Sequence, residues 1–264
     1  MYTRIMNTFV CIPEFRTMSS RLTQTGPAFT NGITQERAET ELSLYREDLF
    51  QLQHLLFAEQ KHSLLIILQG MDASGKDGTI RHVFSSMNPM GVNVKAFKSP
   101  TPEEQSHDFL WRIHPHAPAR GMISIFNRSH YEDILVPAVH KLIKPDLLKR
   151  RYERINSFEQ GLLDSGTLIL KFFLHISREE QKKRLDERIH NPRKMWKYDP
   201  ADTREAPRWN AYMQTYEQIF KNCSSASPWH IIPSNHKWYR NYRIALKITE
   251  TLEALQMKYP KLNT

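Results

Sequence analysis

Cysteine is almost absent: 264 residues contain two, Cys11 and Cys223, far apart and in no metal-ligand spacing. That pair excludes a disulfide framework and a cysteine zinc site, and it fits a reducing compartment. Long apolar runs are also missing. No stretch approaches the roughly 20 residues of a membrane-spanning helix, and the Thr8-Phe9-Val10-Cys11-Ile12 run is too short for the apolar core of a signal peptide. A soluble, cytoplasmic protein with no membrane attachment is therefore expected. Internal repeats and low-complexity tracts are lacking. Acidic residues are in deficit, 28 against 37 Lys and Arg, which leaves a formal charge of +9. Such an excess favours a polyanionic partner: nucleotide, polyphosphate, nucleic acid or acidic membrane.

What is present centres on the run Leu64-Leu65-Ile66-Ile67-Leu68-Gln69, followed by Gly70-Met71-Asp72-Ala73-Ser74-Gly75-Lys76-Asp77-Gly78. An apolar strand feeding a Gly-Lys turn, with a helix expected over 79–87, builds a phosphate cradle. Gly70 and Gly75 allow close backbone approach, the helix N-terminus adds partial positive charge, and Lys76 adds a full one. Ala73, Ser74 and Asp77 complete the predicted loop contacts. One element of the P-loop pattern is missing: Asp77 stands where a Ser or Thr hydroxyl would ligate magnesium.

Further along, short apolar segments at 92–97, 122–126, 167–176 and 229–232 alternate with stretches long enough for crossover helices. This predicts a three-layer α/β/α P-loop kinase fold around a parallel sheet. Residues 1–33 read as an irregular arm, and 34–264 as one domain. A helical N-terminal extension over 36–61 carries Leu42, Tyr45, Leu49, Leu52 and Leu56 on one stripe, suited to the core or to a subunit contact. Trp238, Tyr242, Leu246 and Leu252 repeat that spacing near the C-terminal end. Ligands of parallel sheets collect beyond the carboxyl ends of the strands, which singles out 70–76, 98–101 and 127–133. Lys98, Asn127 and Arg128 are accordingly predicted to contact phosphate, Arg128 with a planar fork. Between 178 and 210 the chain turns basic and is broken by Pro192, Pro200 and Pro207. It reads as a phosphate-binding lid with Arg188, Arg193, Lys194, Lys197 and Arg204.

With the loop hydroxyl missing, a magnesium ion, or manganese in its place, needs other hard oxygen ligands. Asp72 lies inside the loop, where a carboxylate beside phosphate is tolerable only with a cation between them. Asp133, just past the third strand, is the second candidate. Ser129-His130-Tyr131-Glu132 fits a capping box, giving Glu132 a structural task, although it remains a further candidate ligand. The expected catalytic set is Asp72, Lys76, Arg128 and Asp133. His107, His114 and His116, near Trp111, form no convincing metal set, and no role is assigned to them.

Taken together, these motifs resemble the polyphosphate kinase 2 family. The resemblance spans roughly 40–255 and rests on 70–78, on Phe97-Lys98-Ser99-Pro100-Thr101 with Glu103-Glu104, and on 125–133. The basic lid and Ile232-Pro233 before Lys237-Trp238-Tyr239-Arg240-Asn241 add to it. It implies magnesium-dependent phosphoryl transfer between inorganic polyphosphate and purine nucleotides, AMP/ADP and GMP/GDP, with Asp72 and Asp133 tied to metal and catalysis. Tyr131-Glu132-Asp133 resembles the branch that acts on both mono- and diphosphates. Ser234-Asn235 replaces the usual Ala-Asp, so no acidic role passes to position 235. A homo-oligomer is expected, and nucleic acid is not the expected ligand. Two alternatives stay open at this point: an ATP-dependent nucleotide kinase, and a noncatalytic polyanion-binding protein that uses Trp196, Tyr198 and Trp209 among its arginines. The lack of a general base fits kinase chemistry on a phosphate acceptor, whose oxygens are already ionised.

Overall fold

The computed structural model describes Leu22 and residues 25–261. Cys11 and most of the expected arm, 1–21, 23 and 24, lie outside the described residues. Helix α1 (Gln35–Glu59) precedes strand β1 (Ser63–Gln69), the P-loop and helix α2 (Lys76–Val83). Strand β2 (Val92–Ala96), helix α3 (Pro102–Ser106), strand β3 (Ile123–Asn127) and helices α4 (Glu132–Val139) and α5 (Pro145–Asp164) follow. The chain continues through β4 (Thr167–His175), α6 (Arg178–His190), α7 (Pro200–Glu205), α8 (Trp209–Asn222), β5 (Trp229–Pro233) and α9 (Lys237–Glu253).

All strand pairs are parallel, and the order across the five-stranded sheet is β2-β3-β1-β4-β5. Side chains of β1 alternate faces, as strand geometry requires. Leu64, Ile66 and Leu68 enter a core with Leu49 and Leu56 of α1, Val83 of α2 and Ile244 and Ile248 of α9. Leu65 and Ile67 enter the opposite core, with Ile134 of α4, Ile155 of α5 and Tyr216 and Ile219 of α8. Each such Leu or Ile, fully buried, contributes about 1.5–3 kcal/mol relative to exposure. The stripe predicted on the N-terminal helix is therefore core: Leu42, Tyr45 and Leu52 pack against the same cluster as Leu49 and Leu56.

This topology places the site. β1 and β3 are neighbours in register, Leu68 beside Asn127. Their outgoing chains leave toward opposite faces, α2 beside α9 and α4 beside α8. A crevice opens between them at the carboxyl end of the sheet.

Two local expectations are corrected. Helix α2 starts at Lys76 rather than 79, because Gly75 at φ +105° is already its N-cap, and it stops at Val83, ahead of a Ser, Asn and Pro-containing turn. The capping box forms at Thr101 instead of Ser129. Thr101 Oγ1 accepts from Glu104 N at 3.2 Å and Thr101 N donates to Glu104 Oε2 at 2.8 Å. Ser129 instead accepts from Tyr131 N at 3.2 Å in a local turn, and α4 begins after Tyr131 with no side-chain cap. The described end of the N-terminal arm packs beside the site. Thr25 O and Pro27 O meet His175 Nδ1 and Asn235 N at 3.1 and 3.0 Å, and Leu22 joins the core.

Candidate active site

The loop after β1 curls through left-handed backbone at Gly70 (φ +146°), Ala73 (φ +62°) and Gly75. A Cβ on Gly70 would lie 2.8 Å from Leu174 O, and one on Gly75 would lie 2.0 Å from Arg240 Nη1. From behind, distant side chains hold the loop's carbonyls. Arg184 Nη1 donates to Ala73 O and Ser74 O, both at 3.0 Å, while its Nη2 donates to Ser234 O (2.7 Å) and Asn235 O (3.0 Å). Arg240 Nη1 donates to Ser74 O at 3.2 Å, and Gln181 Nε2 to Asp72 O at 3.1 Å. Tying the carbonyls back leaves the N–H side of these peptides toward the cleft, the arrangement that binds anions. Arg240 is almost fully buried, and burial, then neighbouring Arg184, lowers its pKa to about 9.

Lys76 Nζ donates to Gly70 O (2.8 Å) and Met71 O (3.2 Å) across the loop mouth. Burial, and next the Arg128 charge, lowers its pKa. Asp77, the residue that breaks the P-loop pattern, turns outward to join three parts of the site. Asn127 Nδ2 donates to its Oδ1 at 2.7 Å, and Lys197 Nζ lies 3.5 Å from its Oδ2. Burial opposes ionisation of Asp77, but the Asn127 amide and the Lys197 charge outweigh it and lower the pKa.

The end of β3 supplies the opposite wall. Arg128 sits at φ +62°, with its N–H on Leu68 O at 3.0 Å, so its side chain swings over the P-loop. Arg128 Nη2 donates to Asp72 Oδ1 at 2.6 Å. Against the cost of burial, Glu132 and Asp72 raise the Arg128 pKa, while Arg128 and Lys76 hold Asp72 below its ordinary value. Glu132 belongs to this electrostatic group: burial raises its pKa, and Arg128 and Lys76 offset only part of that.

Asp133 departs from expectation. Its carboxylate does not line the cleft; Arg112 Nη2 donates to it at 3.1 Å, and Arg112 Nη1 donates to Lys98 O at 2.9 Å. One residue advances a helix by 100°, which turns Asp133 toward Arg112 while Glu132 faces the loop. Asp133 thus braces the Lys98 segment rather than facing the P-loop.

The cleft has a volume of about 780 Å³ and is lined by eight cationic side chains and five carboxylates. Of the predicted residues it gathers Asp72, Ala73, Gly75, Lys76, Asp77, Lys98, Asn127, Arg128, Arg188, Lys194 and Lys197. It does not gather Gly70 and Ser74, which lie behind the loop surface, Arg193 and Arg204, which are exposed elsewhere, or Glu132 and Asp133, of which Glu132 is coupled to the cleft only through the charges of Arg128 and Lys76. Arg184, Asp199 and Asp202 line it without having been singled out, and so do Phe97 and Lys237, noted only within the family motifs, and Trp196, noted only for the polyanion-binding alternative. Lys237 was detectable: it follows β5 closely, where the strand-end rule applies as it does after β1, β2 and β3. The basic segment divides in function. Arg184 is buried and anchors the P-loop, whereas Arg188 pairs with Asp202 and Lys194 with Glu187 around the mouth of the cleft. Burial, and then Asp72, raises the Asp202 pKa.

Asp72 in the cleft, with Glu132 coupled to the same cations, offers the one or two carboxylates that a magnesium ion combines with phosphate oxygens and water. Among the described residues no cluster of three or more His, Cys, Asp or Glu forms a closed metal cage. Nor is any helix there long and apolar enough to cross a membrane. His107 stacks on Trp111 with ring centroids 4.1 Å apart, an aromatic contact on the surface.

Comparison with known proteins agrees with this geometry. The family profile described as polyphosphate kinase 2 matches residues 32–261. An AMP/ADP-polyphosphate phosphotransferase of Meiothermus ruber is 46% identical over 238 residues, covering 90% of this chain and 88% of its relative. An ADP-polyphosphate phosphotransferase of Rhodopseudomonas palustris is 44% identical over 232 residues, covering 81% and 79%. The crystal structure of polyphosphate kinase 2 from Arthrobacter aurescens TC1 superposes with a TM-score of 0.89 at 42% identity, covering 92% of this chain and 88% of that one. With a parallel sheet, a P-loop after its first strand and sequence identity along nearly its whole described length, the chain belongs to the polyphosphate kinase 2 family.

Proposed function

We propose that this protein transfers phosphoryl groups between inorganic polyphosphate and purine nucleoside mono- and diphosphates, AMP/ADP and GMP/GDP, with magnesium. The observation that carries this reading is the convergence of eight cationic side chains, from the P-loop, the ends of β2 and β3, α6 with its following turn, and α9, on one open cleft. That much charge suits two polyanions held together. Their mutual repulsion is what has to be overcome, and both attacking and leaving groups are phosphate oxygens that need no general base.

In this reading the P-loop amides and Lys76 hold the transferring phosphoryl group. Arg128, oriented by Asp72, neutralises charge that builds on its equatorial oxygens. Asp72 and Glu132 would hold the magnesium, which would supply neutralisation of the charge on the transferring phosphates. Asp133 fixes Arg112 and so the Lys98 segment. Lys194, Lys197 and Arg188 close over the chain of phosphates from the lid. Glu132 within the Tyr131-Glu132-Asp133 sequence supports acceptance of both mono- and diphosphates, as does the similarity to the Meiothermus ruber AMP/ADP-polyphosphate phosphotransferase.

The substitution Lys76→Ala tests the reading. Turnover falls by about a hundredfold or more, the scale of removing one positioned charge donor. Polyphosphate binding survives because the remaining cations stay in place. If Lys76→Ala leaves phosphoryl transfer intact, the cleft is not the catalytic centre.

A further inference from the structure

Strand β4 breaks its own alternation. Ile169 and Phe173 enter the core shared with α4, α5 and α8, yet between them, on the same face, stands Lys171 with no exposed surface. Its three donors are all used: Glu159 Oε2 of α5 at 2.6 Å, Cys223 O at 2.7 Å and the Tyr131 hydroxyl at 3.0 Å. Tyr131 OH donates to Glu159 Oε1 at 2.7 Å, and His130 Nε2 lies 3.3 Å from the same oxygen. Glu159, His130 and Tyr131 are as inaccessible as Lys171. Burial opposes the Glu159 charge, but Lys171 and His130 outweigh it and hold its pKa below the ordinary value.

A buried ion pair is a poor device for stability. Replacing one with apolar side chains of similar volume is often neutral or favourable, so its use calls for another reason. Here that reason lies at the network's surface end. His130 and Tyr131 stand between Arg128 and Glu132, the two members of the cleft group supplied by this turn. Arg128 occupies left-handed backbone, which is strained for a non-glycine residue and persists only where the surroundings over-determine it. The turn is held at one end by Arg128 N on Leu68 O at 3.0 Å, and in the middle by Gln69 Nε2 on Ser129 Oγ at 3.3 Å. The Glu159–Lys171 pair holds the other end through Tyr131 and His130.

We infer that Glu159 and Lys171 are positioning residues for phosphoryl transfer, acting through Tyr131 to hold the strained turn that delivers Arg128 to Asp72 and the transferring group. The inference rests on the function proposed above and extends it to residues that touch neither substrate nor metal. No member of the network lines the cleft, and the turn joins the network to it. Its influence therefore falls on the geometry of Arg128, and through it on kcat more than on KM.

The substitution Tyr131→Phe removes the shorter of the two links, the 2.7 Å hydroxyl bond to Glu159, and leaves the 3.3 Å His130 contact, the buried pair and the aromatic packing in place. The expected result is a fall in kcat of about tenfold, within the range that slight misplacement of a catalytic group produces, with nucleotide KM changed less than twofold. On an Arg128→Ala background the same substitution has no further effect, because the group it positions is gone. The double substitution Glu159→Leu with Lys171→Met removes both charges together and gives the same pair of results with the fold retained by circular dichroism. The Arg128 Nε–H signal in ¹⁵N NMR supplies a readout independent of turnover: sharp in the parent, broadened or lost in Tyr131→Phe. If the parent lacks polyphosphate turnover but the Arg128 signal still responds, the proposed function fails and the positioning stands. A Tyr131→Phe kcat within twofold of the parent, an undiminished effect on the Arg128→Ala background, or an unchanged Arg128 signal overturns the inference.

Discussion

Replacing Gly75 with alanine perturbs the cradle at the point where backbone and a buried guanidinium meet. The residue sits at φ +105°, a conformation that L side chains rarely adopt, and its new Cβ would lie 2.0 Å from Arg240 Nη1 and 2.9 Å from Arg240 Cζ. Backbone strain costs about 1–2 kcal/mol. The guanidinium cannot yield freely, because it is buried and donates to Ser74 O at 3.2 Å and Asn241 Oδ1 at 2.9 Å. Losing one hydrogen bond to such a charged group adds roughly 1.5–3 kcal/mol, for a total of about 2.5–5 kcal/mol. That is a large fraction of the 5–15 kcal/mol typical of a folded domain. Gly78 is the internal control. A Cβ there would lie 3.4 Å from Arg240 Nη2, its backbone is helical, and alanine gains about 0.5–1 kcal/mol of helix propensity. Urea denaturation of the two variants should show Gly75→Ala destabilised by several kcal/mol and Gly78→Ala unchanged or slightly stabilised. Gly75→Ala within 1 kcal/mol of the parent would refute the claim that Arg240 is packed rigidly behind the loop.

Glu132 and Asp72 give the remaining expectations. Because the Glu132 pKa is raised, the stability its protonation supplies is fully present below the ordinary carboxylate range and is lost as pH rises through the folded value. Metal-free melting curves should therefore show a loss of Tm across that window in the parent that is absent in Glu132→Gln, and equal slopes would contradict the assignment. Activity runs the other way, since the ionised form is the one that holds a cation, so the acidic limb of the kcat profile lies above the ordinary carboxylate range. Asp72→Asn should lower kcat by about 10²- to 10³-fold, the scale of losing one preorganised electrostatic contact, and raise the magnesium concentration needed for half-maximal rate. An unchanged magnesium titration in that variant would remove Asp72 from the metal site.

Much of this architecture was legible in the chain itself. The four later strands fall within about a residue of where the sequence places them; β3, β4 and β5 are buried along most of their length and so read as nearly continuous apolar segments, whereas β2 is a partly exposed edge strand carrying Asn93 and Lys95. The P-loop was legible for a related reason: strand, turn and helix are contiguous, so local chemistry specifies them. What escaped depends on side-chain direction over long separations. Arg184 and Arg240 reach the loop from 110 and 166 residues away, and periodicity says nothing about such a reach. Which of Glu132 and Asp133 turns toward the loop depends on the phase of α4, and the capping-box reading placed the start of that helix at Ser129 rather than after Tyr131. Lys171 was hidden inside an apolar run that reads as an ordinary strand, and only the identity of its partners explains a charge there.

The role of Asp77 follows from the same reasoning. It breaks the P-loop pattern in sequence, and in the structure it joins α2 to Asn127 and, through Lys197, to the basic segment after α6; the proposed function leaves the cation to Asp72 and Glu132. The account as a whole stands on the identity of the phosphoryl donor. The most direct measurement incubates the purified protein with magnesium, AMP or ADP, and either polyphosphate or ATP as the only donor, and follows nucleotide products by chromatography. The expected result is ADP and ATP formed from polyphosphate, and polyphosphate lengthened in the reverse direction. Transfer from ATP with polyphosphate neither donating nor inhibiting would contradict it.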